Sequence, residues 1–264
     1  GLPIACSDRS AMPEILLDSG VYFNPLEIDD IEKSLKKLIL SADLRQELSE
    51  KAYQNANLKN NVRLMIGFNR RFAPHIVKMK ELLNAHRSPK TIIMTINAGA
   101  ISSDHWVQDS LIGGGRIIGE CCHFIDLMSH LIGFSIVDFQ STMIGVAPGV
   151  EIRDDKVSIT ISFEDGSFGS IHYLANGGSV FPKERVEVFC DNAVLKMDNY
   201  RLLEGYGWQG FNKMKLFKQD KGQKACVKAF LDAIREGQPS PIPYNELIES
   251  SRVSIEIAES LRQS

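Results

Sequence analysis

The segment GGGRIIGECCHFIDL, residues 113–127, places a glutamate and a histidine three positions apart within an apolar helical pattern. At about 100° per residue, the apolar residues form one arc; Glu120 falls inside it and His123 lies on its rim. A carboxylate there is costly to bury unless it is paired or faces a polar cavity. A histidine beside a carboxylate has its pKa biased toward physiological pH, which suits acid-base chemistry. Glu120 and His123 are therefore the candidate catalytic residues; the alternative is a structural pair that holds the helix to the sheet.

The glycines before this helix raise the question of a phosphate-binding loop. The dinucleotide fingerprint needs its third glycine where Ile118 stands, and it needs a strand directly before Gly113. The nearest strand-like run, TIIMTINAG, ends well before that position. The pattern favours glycines that let a loop turn into a helix. A metal site would need partner ligands from other helices, and no second Glu-x-x-His motif is present, so we predict no metal.

The elements that position these residues fall into two parts, residues 1–59 and 60–264. The first part alternates short strands with amphipathic helices, which is typical of a parallel sheet, but two strands are too few for a complete one. We therefore predict a partial α/β, Rossmann-like fragment. It comprises strands at 2–6 and 21–23 and helices at 28–40 and 43–56, with Ser41 as the N-cap of the second helix.

In the second part, apolar and polar residues mostly alternate with a period of two, which is typical of β-strands. Turns at 164–167 and 191–192 each separate two alternating runs, which predicts antiparallel hairpins. The run VRLMIGFNRRF predicts a short strand that enters a turn, and APHIVKMKELLNAH predicts a helix. Two closing helices are predicted at 223–236 and 244–263. The fold class is therefore α+β, with an open, mostly antiparallel sheet and helices packed on one face.

The amino-acid composition and net charge narrow the possible classes of function. The chain has 264 residues, 44% of them hydrophobic, and a net charge of −3, so no basic field favours a nucleic acid or an anionic membrane surface. No apolar run is long enough to span a membrane, and the N-terminus lacks signal-peptide features. Five cysteines without C-x-x-C spacing favour a reducing compartment, so we predict a cytoplasmic protein. Because the first residue is not methionine, we expect a piece of a longer chain.

Four motifs in fixed order carry a resemblance. GFNRRF, NAG at 97–99, DHW at 104–106 and GGGRIIGECCHFIDL resemble the C-terminal domain of the glucose-fructose oxidoreductase and inositol dehydrogenase family, over residues 62–262. The similarity is strongest to members found in cell-surface sugar biosynthesis. It implies a sugar or nucleotide-sugar substrate and a homo-oligomer formed through the open sheet. It also implies NAD or NADP, bound mainly by an N-terminal Rossmann domain that is absent here.

The resemblance assigns residue roles in part. His123 matches the family's histidine beside the sugar hydroxyl that is oxidised, but the family's aspartate four residues earlier is Gly119 here, and Glu-Lys-Pro occurs nowhere. In this assignment His123 handles the hydroxyl proton, and Glu120 is the carboxylate that supports it. Asn97 and Trp106 are candidate pocket residues, with a strand end and simple packing as the alternatives. Arg71, together with its neighbour in GFNRRF, is a candidate for binding substrate or phosphate, or else lies at a solvated turn.

Residues 1–58 resemble the end of the C-terminal Rossmann-like domain of two-domain retaining glycosyltransferases. Pro13-Glu14 and GVYFNP carry this similarity, and Glu14 is alternatively a helix-start residue favoured by the macrodipole. The whole chain is then predicted to join a glycosyltransferase tail to the substrate domain of an NAD(P)-dependent sugar oxidoreductase. The alternatives are a glycosyltransferase remnant that uses a nucleotide-sugar donor and a non-catalytic module that binds sugar or dimerises.

Overall fold

The computed structural model describes residues 4–9, 13, 16–58, 63–109 and 112–263, and the chain divides into two compact units, residues 1–63 and 64–264. The division lies a few residues after the boundary that the change in pattern suggests. Each unit has its own sheet.

The first unit contains two parallel strands followed by two helices. Parallel pairing of β1 with β2 is what the strand and helix alternation predicts. The Ser41 hydroxyl accepts a hydrogen bond from the backbone N–H of Leu44 at 3.1 Å, so the predicted N-cap is confirmed. Glu14 and the first predicted strand residue, Leu2, lie outside the described residues. The elements are β1 (Ile4–Ser7), β2 (Gly20–Phe23), α1 (Ile28–Leu40) and α2 (Ala42–Leu58).

The second unit is built on an eight-stranded sheet in the order β10-β9-β8-β7-β3-β6-β5-β4. Every neighbouring pair is antiparallel except β3 and β6, which are parallel. The predicted open, mostly antiparallel sheet is therefore confirmed. Its strands are β3 (Thr91–Asn97), β4 (Ile136–Met143), β5 (Lys156–Phe163), β6 (Phe168–Leu174), β7 (Glu184–Cys190), β8 (Ala193–Asp198), β9 (Leu202–Tyr206) and β10 (Lys213–Lys215).

Helices cover the buried face of this sheet. Alternate residues of the central strands, such as Ile159, Ile161 and Phe163 on β5, point into one apolar core with the inner faces of α3, α4 and α6. The helical segments are a 3₁₀ turn (Asn69–Phe72), α3 (Pro74–Leu83), a second 3₁₀ turn (Trp106–Gln108), a π-helical turn (Ile117–Cys121), α4 (Cys122–Ile132), α5 (Gln223–Arg235) and α6 (Tyr244–Arg262). Across the described part of the chain, we find no helix of sufficient length and apolarity for a membrane span.

The strand predicted in VRLMIGFNRRF is wrong. Residues 63–68 have irregular backbone and lead into the 3₁₀ turn Asn69–Phe72. Phe68 packs against Ile242 and Leu247 in a small separate apolar cluster instead of entering the sheet. A short apolar run does not by itself distinguish a strand from other buried backbone, and here packing outside the sheet decided the outcome.

The helix that carries Glu120 and His123 begins differently from the prediction. Residues Ile117–Cys121 form a π-helical turn, and α4 starts at Cys122. A π turn has i→i+5 hydrogen bonds and is a frequent feature of functional sites. It changes the angle between successive side chains, so the 100° wheel does not place Glu120 correctly relative to His123. The predicted apolar arc itself is confirmed, since its members from Ile117 to Ile132 are buried.

Candidate functional site

A pocket of ≈ 320 Å³ opens beside the π-helical turn in the second unit. Most of its lining is polar or ionisable, which distinguishes it from the apolar core beneath. The 3₁₀ turn at 69–72, the segment around 101–107 and the π-helical turn each contribute to the walls. The lining residues are Arg70, Ile101, His105, Val107, Arg116, Gly119, Glu120 and His123.

Glu120 is held by three donors. The Lys183 ammonium donates to Oε1 at 2.7 Å, while the Tyr173 hydroxyl and Arg116 Nη2 donate to Oε2 at 2.6 and 2.7 Å. Burial by itself would raise the pKa of the carboxyl group, but the hydrogen bonds from Lys183, Tyr173 and Arg116 lower it to about 2. Glu120 is therefore a fixed anion at neutral pH, and it is paired with two cations, of which Arg116 lines the pocket.

The His123 ring is neutral, and one of its two nitrogen atoms makes no hydrogen bond to the described residues. Its Nδ1 is buried and has no hydrogen-bond partner among the described residues, and its ring meets Phe68 edge-on at 5.6 Å. Burial, followed by the nearby positive charge of Arg70, lowers its pKa to about 4. At physiological pH the imidazole is neutral and can accept a proton or a hydrogen bond from a ligand in the pocket.

Arg70 forms a rigid wall of the pocket. Its Nε and Nη2 donate to both oxygens of Glu184 at 2.8 and 3.0 Å, and its guanidinium lies over the Phe124 ring at 4.5 Å. Glu184 also accepts a hydrogen bond from Lys221 at 2.6 Å. A bidentate, buried arrangement of this kind fixes the position of the guanidinium.

The glycines next to the pocket are explained by close packing and by backbone conformation. A side chain at Gly113 would approach the Trp106 carbonyl oxygen and Val107 Cα to 2.5 Å, and Gly114 and Gly115 have φ of +73° and +80°. No strand precedes them within residues 98–109 and 112. These residues do not fit a dinucleotide, because the strand and the phosphate-facing turn are missing and the pocket is at the small end of ligand sites, about 300–1,000 Å³.

Residues 88–264 match an oxidoreductase family, Gfo/Idh/MocA, at its C-terminal alpha/beta domain. The match covers more than half of the chain. The chain belongs to this oxidoreductase family.

Three other proteins, named as an oxidoreductase and two dehydrogenases, also resemble the chain. The uncharacterized oxidoreductase YrbE of Bacillus subtilis is 25% identical over 215 residues, which is 77% of this chain and 62% of YrbE. The chain thus spans less than two thirds of that relative. A levoglucosan dehydrogenase, solved with NADH and levoglucosan, has a TM-score of 0.65 at 18% identity, over 82% of this chain and 69% of its own.

A third relative is the UDP-N-acetylglucosamine 3-dehydrogenase GnnA of Acidithiobacillus ferrooxidans. It has a TM-score of 0.60 at 13% identity, over 99% of this chain and 98% of its own. At these identities the two solved structures establish a shared fold. All three relatives are oxidoreductases, so the resemblance of residues 1–58 to glycosyltransferases stays a prediction.

The structure brings His123 and Glu120 into one pocket but does not pair them as predicted. Both oxygens of Glu120 are occupied by Arg116, Tyr173 and Lys183. The predicted bias of the His123 pKa toward physiological pH is also wrong, because burial outweighs the attraction of the carboxylate. In this Gfo/Idh/MocA member, Glu120 thus pairs with Arg116 and Lys183 and not with His123.

Arg71 lies away from the pocket that holds His123 and Glu120. Its side chain is 5% exposed, forms two hydrogen bonds to Asp126 at 2.8 and 2.6 Å and also contacts Glu246. None of these three residues lines the pocket. Arg71 therefore joins α4 to α6 outside this pocket and does not lie at a solvated turn. It lines a second cavity, of ≈ 570 Å³, together with Glu246, and its predicted contact with a substrate stays a prediction.

Asn97 and Trp106 lie near the pocket without forming its walls. The Asn97 amide donates to the carbonyls of Gly178 and Phe181, and its backbone N–H donates to the Lys183 carbonyl at 2.8 Å. Asn97 thus ties down the loop that carries Lys183. Trp106 is 62% exposed and lies between two pocket residues in sequence, His105 and Val107. Its predicted contact with a sugar stays a prediction.

Sequence reasoning missed three residues that shape the site. Arg116 pairs with Glu120 at i,i+4, a spacing that could have revealed it. Tyr173 and Lys183 reach Glu120 from β6 and from the loop before β7, more than 50 residues along the chain. Only the folded sheet brings them there, and no local pattern marks them.

We expect acid to destabilise the second unit between pH 6.5 and 4. The folded pKa of His123 is about 4, below its unfolded value of 6.5, so the unfolded chain binds more protons in this window and stability falls as pH falls. Urea unfolding at pH 7 and pH 4.5, followed by the fluorescence of Trp106 and Trp208, measures the loss. His123→Gln should reduce this loss but not abolish it, because the pKa of His130 is lowered to about 3 by burial. An equal loss in His123→Gln would contradict the assignment.

Proposed function

We propose that this chain supplies the substrate-binding part of an NAD(P)-dependent oxidoreductase that acts on a sugar or nucleotide-sugar. The observation that supports it most is the neutral His123 ring, which has no hydrogen-bond partner at Nδ1 among the described residues, in a pocket of ≈ 320 Å³ whose other polar groups are already held in place. A pocket of this size suits one pyranose ring. The relatives described above as levoglucosan and UDP-N-acetylglucosamine dehydrogenases act on molecules of this class.

The proposed roles follow from the contacts. His123 accepts the proton of the sugar hydroxyl that is oxidised, as a general base. Glu120 remains ionised and holds the Arg116 and Lys183 donors. His105 and the Arg70 guanidinium, which line the pocket, orient the sugar oxygens. Glu120 itself is a poor proton acceptor at neutral pH because its pKa is about 2.

A nicotinamide cofactor would supply the hydride acceptor or donor, and we place its site outside the described residues. The first unit provides two parallel strands, which do not form the crevice at a sheet switch point where a dinucleotide binds. We assign the parent activity to cell-surface polysaccharide biosynthesis on the resemblance alone. Self-association through the open sheet face is part of the same proposal.

Binding measurements test the proposal on the chain itself. NADH is titrated while energy transfer from Trp106 and Trp208 is followed, and sugars are screened by saturation-transfer NMR. We expect sugar binding that His123→Phe removes, without saturable NADH binding. Gel filtration reports the oligomer. Absence of binding by any sugar in the panel would contradict the proposed function, and micromolar NADH binding would contradict the external cofactor site.

A further inference from the structure

A group of side chains that can bind a metal lies away from the pocket, where the segment after α3 meets the turn between β7 and β8. It consists of His86, Cys190 and Asp191, and none of the three lines the pocket. One imidazole nitrogen, the thiol sulfur and one carboxylate oxygen all lie within 4.8 Å of one another. Within the described residues, no other set of three His, Cys, Asp or Glu side chains meets in this way.

The hairpin turn explains why two of these residues are adjacent in sequence and also share one side of the chain. β7 ends at Cys190 and β8 begins at Ala193, so Asp191 belongs to the turn between them. Neighbouring side chains in a regular strand point to opposite faces of the sheet. Asp191 has φ of +49°, which ends that alternation directly after Cys190. The thiol and the carboxylate are thus close together at the end of the sheet.

His86 is held in place from two sides. Its Nδ1 lies 2.7 Å from Asp191 Oδ2 in a hydrogen bond, and its ring lies edge-on to Trp208 with the centroids 4.8 Å apart. The Trp208 indole N–H donates to the Val194 carbonyl at 3.0 Å, so the aromatic neighbour is itself fixed to β8. Metal-binding histidines are commonly oriented by such surrounding contacts. The imidazole is therefore positioned by packing as well as by the hydrogen bond.

The types of ligand indicate which metal would bind. Imidazole nitrogen, thiolate sulfur and carboxylate oxygen bind Zn²⁺ at about 2.0–2.3 Å, whereas Ca²⁺ and Mg²⁺ take oxygen ligands. At those bond lengths the ligand atoms of a tetrahedral site are roughly 3.3–3.8 Å apart, so side-chain shifts of about 1 Å would place this group around one ion. The hydrogen bond between His86 and Asp191 would open to admit it.

We infer that His86, Cys190 and Asp191 bind a zinc ion, with water as the fourth ligand. The side chains of His86 and Asp191 are 30% and 37% exposed, which leaves the fourth position open to solvent, while Cys190 is the buried ligand. The thiol proton passes to solvent as the thiolate binds the ion. The ion joins two parts of the chain that are 105 residues apart. This site is independent of the proposed function and of the Glu-x-x-His motif, for which no metal is predicted.

The test titrates cobalt and then zinc into the full chain, which is first freed of metal with a chelator and kept reduced with a phosphine. Co²⁺ replaces Zn²⁺ in tetrahedral sites, and a thiolate-to-cobalt charge-transfer absorption band appears when sulfur is bound. We expect this band to saturate at one cobalt per chain and zinc to displace the cobalt. Zinc should also raise the unfolding temperature, because it binds the folded state, in which the three ligands are assembled.

Variants identify the ligands. Cys190→Ser should remove the charge-transfer band and weaken zinc binding at least about 100-fold, because even an outer partner of a ligand contributes about 10–100-fold to metal affinity. Asp191→Asn introduces a residue type that tolerates positive φ, so it should weaken zinc binding without disturbing the turn. Cys226→Ser is the matched control, since Cys226 is a free thiol on α5 with the same exposure as Cys190, 5%. It should change neither the band nor the zinc affinity.

Several outcomes would overturn the inference. One is an unaltered, reduced chain that shows no charge-transfer band and no zinc binding. Another is a band that Cys190→Ser retains or that Cys226→Ser removes, since the metal would then be bound by a different thiol. If Cys190→Ser fails to fold, unchanged zinc affinity in Asp191→Asn overturns it as well. The proposed function stands in each case, because the three ligands lie outside the pocket.

Discussion

Replacing Asp126 with asparagine should lower the free energy of unfolding of the second unit by about 3–5 kcal/mol. Asp126 is fully buried and accepts two hydrogen bonds from Arg71, whose side chain is 5% exposed. The variant leaves a guanidinium charge buried without its main partner, and an amide hydrogen then faces that guanidinium. Urea unfolding at pH 7, with tryptophan fluorescence as the signal, measures the change.

The control is an ion pair on the surface of α6. Glu256→Gln removes the exposed partner of Arg252 and should cost about 0.5 kcal/mol or less. The double variant Arg71→Met with Asp126→Leu should recover much of the loss, because no charge is left buried. A loss below about 1 kcal/mol in Asp126→Asn would mean that Glu246 alone satisfies Arg71, and that Arg71 is freer than its burial indicates.

Local patterns were sufficient for most of the second unit. Alternation on either side of residues 164–167 predicted β5 and β6, because one face of each strand is buried and the other is not. The turn at Asp191 and Asn192 was found for a physical reason as well. Both residues have positive φ, which Asn and Asp tolerate better than most residues, and β7 pairs with β8 across them.

Patterns failed where the answer depended on groups distant in sequence. The two arginines of GFNRRF are identical in type, yet one lines the pocket and the other is buried between helices. Their acidic partners, Glu184 and Asp126, lie 114 and 55 residues further on. An isolated dipeptide contains no information about which carboxylate each guanidinium will meet.

The pairing of Glu120 with His123 failed for a local reason that sequence does not reveal either. The prediction assumed regular α-helix, whereas the π-helical turn at Ile117–Cys121 alters the spacing of side chains around the axis. Gly119 falls within this turn, and a side chain there would meet Val107 at 3.2 Å. The close approach of the 101–107 segment to the helix therefore suits a glycine where the family resemblance places an aspartate.

Replacing His123 with asparagine should reduce turnover by about 10²–10⁴-fold in a complete homologue that carries the same GGGRIIGECCHFIDL motif. Asparagine keeps a polar side chain of similar reach but cannot take up a proton, so the hydroxyl proton would have to leave to water. Substrate affinity should change much less than turnover, because the proposed orienting donors come from Arg70 and His105. Steady-state kinetics across pH measure both quantities and show whether the acid limb of the rate profile disappears.

The matched control for this experiment is His130→Asn, the same substitution seven residues along the same helix. His130 is also partly buried, and its pKa is lowered to about 3, but it does not line the pocket. It should leave turnover unchanged while lowering stability to a similar degree. If both variants lost turnover equally, the loss would reflect packing of α4. If His123→Asn kept full turnover, the hydroxyl proton would have to pass to another group. The role of the His123 imidazole would then be limited to binding the sugar.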